Sequence, residues 1–152
     1  MTEKQENILK VALELFAKEG VAAVSSKMIA KEAGVSEGLI FRHFENKEGL
    51  LKAIMEKGNE RASVHFSTIV FETDPKAVIR KFIELPATMD KAEHPYWRLI
   101  FALKWQKGSY DAGKMEPLKT ALTEAFLKLG YTYPAAEADV LLRYFDGSAA
   151  YM

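Results

Sequence analysis

The chain contains no cysteine. That excludes a disulfide framework, thiolate metal sites and a cysteine nucleophile, and it fits a reducing cytosol. It also lacks an excess of charge of either sign, because 21 Lys and Arg balance 21 Asp and Glu. Whole-chain charge therefore argues neither for nucleic acid nor for a membrane surface, and any DNA-binding case rests on local placement. No stretch approaches the roughly 20 apolar residues that span a bilayer. The apolar run from Ile8 to Phe16 is broken by Lys10 and Glu14, so no secretory leader is visible. Strand-like alternation, internal repeats and low-complexity segments are missing too. A cytoplasmic protein away from the membrane is the expectation.

What the chain has is helical periodicity. With 49% hydrophobic and 28% charged residues, 152 residues can bury a core and stay soluble. That length suits one medium domain, or a small domain sharing a core with a larger one. Ile8, Val11, Ala12, Leu15 and Phe16 fall on one face of a helix that should stop at Gly20. Ser25 and Ser26 suit the N-cap of a second helix through Ala33, which Gly34 breaks. Ser36 suits the cap of a third helix, Glu37 to Phe44, and Asn46 the cap of a fourth. The fourth is long, with an apolar stripe running from Leu50 to Ile69. Pro75, Pro95, Pro117 and Pro134 each precede an amphipathic run, and proline favours the first helical position. They predict four further helices. Pro86 lies inside the run Val78 to Met89 and should kink or end that helix. The expected architecture is all-α, with residues 1–57 forming one part and 58–152 another, divided within the fourth helix near Gly58.

The sharpest signal is Ala33-Gly34-Val35-Ser36, which ends one short helix and begins the next at once. Gly34 can take a positive φ, Ala30 lets the two helices approach, and Val35 and Ile40 should fill the angle between them. A helix-turn-helix of this kind lays its second helix in the major groove and its first across the backbone. An ordinary corner in a helical core can use the same residues. The surroundings favour DNA: Arg42 and His43 belong on the outer side of the second helix. Ser25, Ser26, Lys27 and Lys47 lie at helix starts, where free N–H groups meet phosphate.

Residues 5 to 55 resemble the DNA-binding region of the TetR family of regulators. The resemblance is carried by Ile8-Leu9, Ala12, Leu13, Leu15, Phe16 and Gly20, then by Ile29-Ala30, Ala33 to Ser36 and Gly38. It continues through Phe41, His43-Phe44, Asn46-Lys47-Glu48 and Leu50-Leu51. It implies a homodimer on a palindrome-like, double-stranded operator, usually as a repressor, with a small apolar or amphipathic effector altering the spacing of its two DNA-reading heads. By position it assigns Glu37, Gly38, Leu39, Phe41, Arg42 and His43 to the recognition helix. Ser25, Ser26, Lys27 and Lys47 fall to a phosphate clamp. Leu39 stands where the family commonly has Thr, and Phe41 where it commonly has Tyr. Both hydroxyls are lost: Leu39 can instead touch a thymine methyl, while Phe41 can pack on sugar but cannot donate to phosphate. From Ser25 to Lys52, five Lys/Arg face four Asp/Glu, so binding should depend on placed contacts and be salt-sensitive.

Beyond residue 58 the resemblance gives little detail. Trp97, Phe101 and Trp105 recur at every fourth position and line one helical face. Core packing is the ordinary role of such aromatics. An effector pocket, if present, is expected near them and the Pro86 kink, with Phe66, Met89 and Phe126 contributing. His65 and His94 have no second His or carboxylate at clear metal spacing, and a satisfied or solvent-facing role is expected for both. Neither a metal nor a cofactor is implied. Residues 135–152 read as a helix whose Asp146-Gly147 resembles the middle of the family's penultimate helix. The family usually adds another helix there, and the two form the dimer interface, so either the second part is incomplete or this protein pairs differently; an exposed apolar remnant would favour association. An enzyme on a helical bundle is disfavoured: there is no Gly-rich phosphate loop, HExxH, di-iron Glu-x-x-His pairing or nucleophile–base constellation. A helical small-molecule-binding or adaptor protein that has lost operator recognition is the alternative that Leu39 and Phe41 keep open.

Overall fold

The computed structural model describes residues 1–104, 112–149 and 151. Eight α-helices make up almost all of it, with no strand among the described residues. They are α1 (Glu3–Glu19), α2 (Ser26–Ala33), α3 (Glu37–Phe44), α4 (Lys47–Val70), α5 (Pro75–Thr88), α6 (His94–Lys104), α7 (Glu116–Lys128) and α8 (Pro134–Ala149). Short 3-10 turns precede α6 and α7. No helix among the described residues is long and apolar enough to cross a membrane. The helix starts obey local chemistry. Thr2 and Gln5 cap α1 reciprocally, and Ser25, Ser36, Asn46 and Asp74 each accept a bond from the N–H three residues on. Pro75 and Pro117 sit in the first turns of α5 and α7, where a missing N–H costs nothing. Pro86 lies in the last turn of α5, which ends two residues later at Thr88. Without an N–H on Pro86 the ladder cannot continue normally, so the helix stops as expected. His94-Pro95 and Tyr133-Pro134 likewise open α6 and α8.

Two apolar cores form. The first gathers Ile8, Leu9, Ala12 and Phe16 of α1, Ile29 and Ala30 of α2, Ile40 and Phe44 of α3, and Leu50 and Ile54 of α4. Leu99 and Leu103 of α6 complete it. The second joins Ala62 and Ile69 of α4 to Phe82 and Leu85 of α5, Tyr96 and Trp97 of α6, Leu122 and Phe126 of α7, and Phe145 of α8. Trp97 packs edge-on to Phe145 with ring centroids 5.4 Å apart, an arrangement that complements the two ring quadrupoles. The 24 residues of α4, about 36 Å of helix, run through both cores. Gly58, midway along, is buried under Tyr96: a Cβ there would stand 1.8 Å from the Tyr96 ring. The Tyr96 hydroxyl donates to Asn59 Oδ1 at 3.0 Å, so α4 and α6 are locked side by side. His65 is satisfied by Glu93, with Nε2 2.8 Å from the carboxylate. Among the described residues no cluster of His and carboxylates could hold a metal.

The α4–α5 corner carries a titrating device. Glu72 pairs with Lys81 Nζ at 2.5 Å and accepts from the N–H groups of Thr73 and Asp74. The Lys81 ammonium first, then these two amides, hold its carboxyl at about 2 against an ordinary 4.5. A depressed folded pKa contributes stability that is present above the unfolded value and lost as pH falls through the folded one. Glu72→Gln should therefore lower Tm relative to the native chain at pH 7, and that deficit should shrink between pH 4.5 and about 2. Thermal melts of both proteins across this range check it. A deficit that stays constant would detach Glu72 from the acid limb.

Candidate nucleic-acid interface

The α2–α3 corner is built by backbone bonds that demand Gly34. Its φ of 67° and ψ of 34° are left-handed, a conformation costly for any residue with a Cβ. Gly34 N–H reaches the Lys31 carbonyl at 3.3 Å, and Val35 N–H reaches the Ala30 carbonyl at 3.0 Å. This paired closure ends α2 and turns the chain directly into α3. Ser36 then caps α3, its Oγ accepting from Leu39 N at 3.3 Å. Ile40 is fully buried and Val35 half-buried in the angle between the helices.

This corner leaves one face of α3 in solvent. Glu37, Gly38, Phe41, Arg42 and His43 are exposed there, while Ile40 and Phe44 point into the first core. Leu39 is half-buried and packs against that core, so only part of its side chain is presented outward. Arg42 forms no ion pair among the described residues, which leaves its fork of donors open. Phe41 is 46% exposed, an unusual placement for a phenylalanine. At the start of α2, Ser25 and Lys27 are exposed and Ser26 half-buried. The Ser25 oxygen accepts from Met28 N, and its hydroxyl proton stays available to a phosphate oxygen.

Three contacts hold this face in place, and none is visible in local sequence. Gln5 Nε2 of α1 donates to His43 Nδ1 at 3.1 Å, an arrangement in which the neutral imidazole carries its proton on Nε2. Asn7 Nδ2 donates to the Ala33 carbonyl at the end of α2. Lys47 Nζ donates to the Val21 carbonyl at 2.9 Å, tying the start of α4 to the loop before α2. The partners lie 38, 26 and 26 residues apart, so no motif spacing announces them. Between α3 and α4, Glu45 takes φ 64° and ψ −51°, and Asn46 N–H bonds the Phe44 carbonyl at 2.7 Å. This is a tight γ-turn, strained for a residue with a side chain. Gly49 allows it: a Cβ on Gly49 would stand 1.9 Å from the Phe44 carbonyl oxygen.

The aromatic residues expected near an effector pocket sit in the second core. Met89, Trp97 and Phe126 are buried, and Phe66 and Phe101 are half-buried against them. Trp105 lies outside the described residues. A groove of about 580 Å³ lies elsewhere, between α1, α4 and the start of α6, and of these residues only Trp97 borders it.

Comparison with known proteins agrees with this geometry. The family of bacterial regulatory proteins described as the tetR family matches residues 8–54. The uncharacterized HTH-type transcriptional regulator YerO of Bacillus subtilis is 46% identical over 56 residues, 37% of this chain and 19% of that protein. The HTH-type transcriptional regulator AcrR of Shigella flexneri is 36% identical over 84 residues, 53% of this chain and 39% of that one. The matched part thus spans about a fifth to two-fifths of these relatives' length. Among solved structures, the ketosteroid transcriptional regulator KstR2 of Mycobacterium tuberculosis superposes with a TM-score of 0.82 at 15% identity, covering 100% of this chain and 84% of that one. PfmR of Thermus thermophilus superposes with a TM-score of 0.77 at 20% identity, covering 100% and 88%. At such identities the likeness speaks for the fold alone, whereas the N-terminal match speaks for the domain. Residues 8–54 thus carry the helix-turn-helix domain of the tetR family of bacterial regulatory proteins, and the described fold is similar to that of solved transcriptional regulators.

Proposed function

We propose that the chain is a ligand-responsive transcriptional regulator, and not an enzyme, that binds a palindrome-like operator as a dimer and acts as a repressor. Residues 1–57 are its DNA-binding part, and residues 58–152 its dimerisation and effector part. The observation that carries this reading is the outward face of α3, where Arg42 and His43 stand exposed on a helix whose opposite side is locked into the first core. A dimer accounts for the apolar surface of α8, where Val140 and Tyr144, one turn apart, are 62% and 47% exposed. Two such recognition helices about 34–36 Å apart would enter successive major grooves. An effector that prefers another spacing would weaken DNA binding by its differential affinity for the two states.

The test is a pull-down of genomic DNA fragments, repeated over a salt series and read by sequencing. One palindrome-like site, fading steeply with salt, supports the reading. No enrichment at low salt from folded protein would favour a small-molecule-binding or adaptor protein, consistent with the inward packing of Leu39 and the missing hydroxyl at Phe41. On the recovered site, Lys47→Ala should weaken binding across all sequences and reduce the salt slope by about one unit. Because Lys47 also holds the Val21 carbonyl, the slope separates its roles. Weaker binding with an unchanged slope would leave Lys47 as a tether only.

A further inference from the structure

We infer that the groove between α1, α4 and the turn leading into α6 is a binding site for an organic anion with an apolar body. Its volume, about 580 Å³, lies within the range of small-molecule sites. The floor is apolar and already buried: Leu9 of α1, Ile54 of α4, and Tyr96 and Trp97 of α6 are each 6% exposed or less. Trp97, which borders the groove, also holds a buried Nε1 donor without a hydrogen-bond partner among the described residues.

The rim decides the sign of the ligand. Lys10, Lys57, Arg61 and Lys91 stand there against Glu6, Glu14 and Glu93, an excess of one positive charge; Glu6 pairs with Lys57 at 3.6 Å, and Glu93 is turned to His65 at 2.8 Å. Glu14 stands one helical turn from Lys10 on α1 and offsets it. Arg61 and Lys91 remain, exposed and in no ion pair among the described residues. Arg61 also follows Lys57 by one turn on α4, and like charges at that spacing repel. A carboxylate or sulfonate at this rim relieves that repulsion and supplies acceptor oxygens, while an apolar body covers the floor. The ligand would touch α1 and α6 together, and hence both parts of the chain. That its arrival shifts DNA affinity rests on the regulator reading above; its binding does not.

The experiment titrates the full chain with two fluorescent probes of similar shape, anilinonaphthalene sulfonate and uncharged phenylnaphthylamine. The double variant Arg61→Glu/Lys91→Glu should weaken the sulfonate about tenfold and leave the neutral probe nearly unchanged. Ala92→Trp, which fills the groove from an exposed rim position, should abolish both. Phe71→Asp, at an exposed apolar position just after α4, should affect neither. Sulfonate binding that is indifferent to the rim charges, that survives Ala92→Trp, or that disappears with Phe71→Asp overturns the assignment. None of these readouts involves DNA, so a failed operator search leaves the result intact.

Discussion

Gly49→Ala should abolish tight operator binding while most of the helix content survives. The new Cβ would stand 1.9 Å from the Phe44 carbonyl oxygen and 3.0 Å from its carbon. These are backbone atoms, so no side chain can swing aside to make room. Phe44 is the last residue of α3 and is anchored in the first core. Relief therefore has to come from moving the end of α3 away from α4. The junction has little slack, because Glu45 already sits in a strained turn there. Overpacking of this kind costs about 1–3 kcal/mol, or roughly 2–12 °C in Tm for a chain of this length. Circular dichroism should report near-native helix content, and a DNA titration should report the loss. Native Tm and native affinity together would show that the junction tolerates the extra carbon.

Leu99→Ala should destabilise the first core, built mainly by α1 to α4, from a position far along the chain. Leu99 is 1% exposed and, with Leu103, inserts α6 into the core formed by α1 to α4. Truncating a buried leucine costs about 2–5 kcal/mol, depending on how far the cavity collapses. Amide hydrogen exchange should quicken in α1, whose face packs on α6. Exchange that quickens only in α5, α7 and α8 would mean that the insertion contributes nothing to the first core. The same contact gives α6 a physical route to α2 and α3, because a shift of α6 disturbs α1 in the shared core. Gly58 makes that contact possible by letting Tyr96 close on α4.

Much of this was legible in the chain, for identifiable reasons. Gly34, Ser36 and Asn46 act on neighbours within five residues, so their chemistry fixes helix ends locally. The starts of α5 to α8 follow from Pro75, Pro95, Pro117 and Pro134 in the same way. The exposed face of α3 follows from periodicity, since Ile40 and Phe44 must face inward together. What periodicity cannot supply is the partner of an apolar face. Leu99 and Leu103 on α6 read as core residues, yet nothing near them in sequence says that their core belongs to α1. Gly58 marks the expected division of the chain, but the need for glycine there comes from Tyr96, 38 positions later. The links from Gln5, Asn7 and Lys47 to the corner, and the groove lined from three separate helices, are hidden for the same reason. Leu39 shows the limit within the motif itself: its position lies on α3, in the proposed recognition helix, and its side chain turns partly to the core.

The most direct test of DNA reading by α3 is the affinity of Arg42→Ala for the recovered operator and for single-base-pair variants of it. Arg42 reading a base should appear as a loss of about 1–3 kcal/mol on the operator, with discrimination collapsing at one base pair and surviving at the others. An equal loss on every sequence, or no loss at all, would contradict base reading by this helix face.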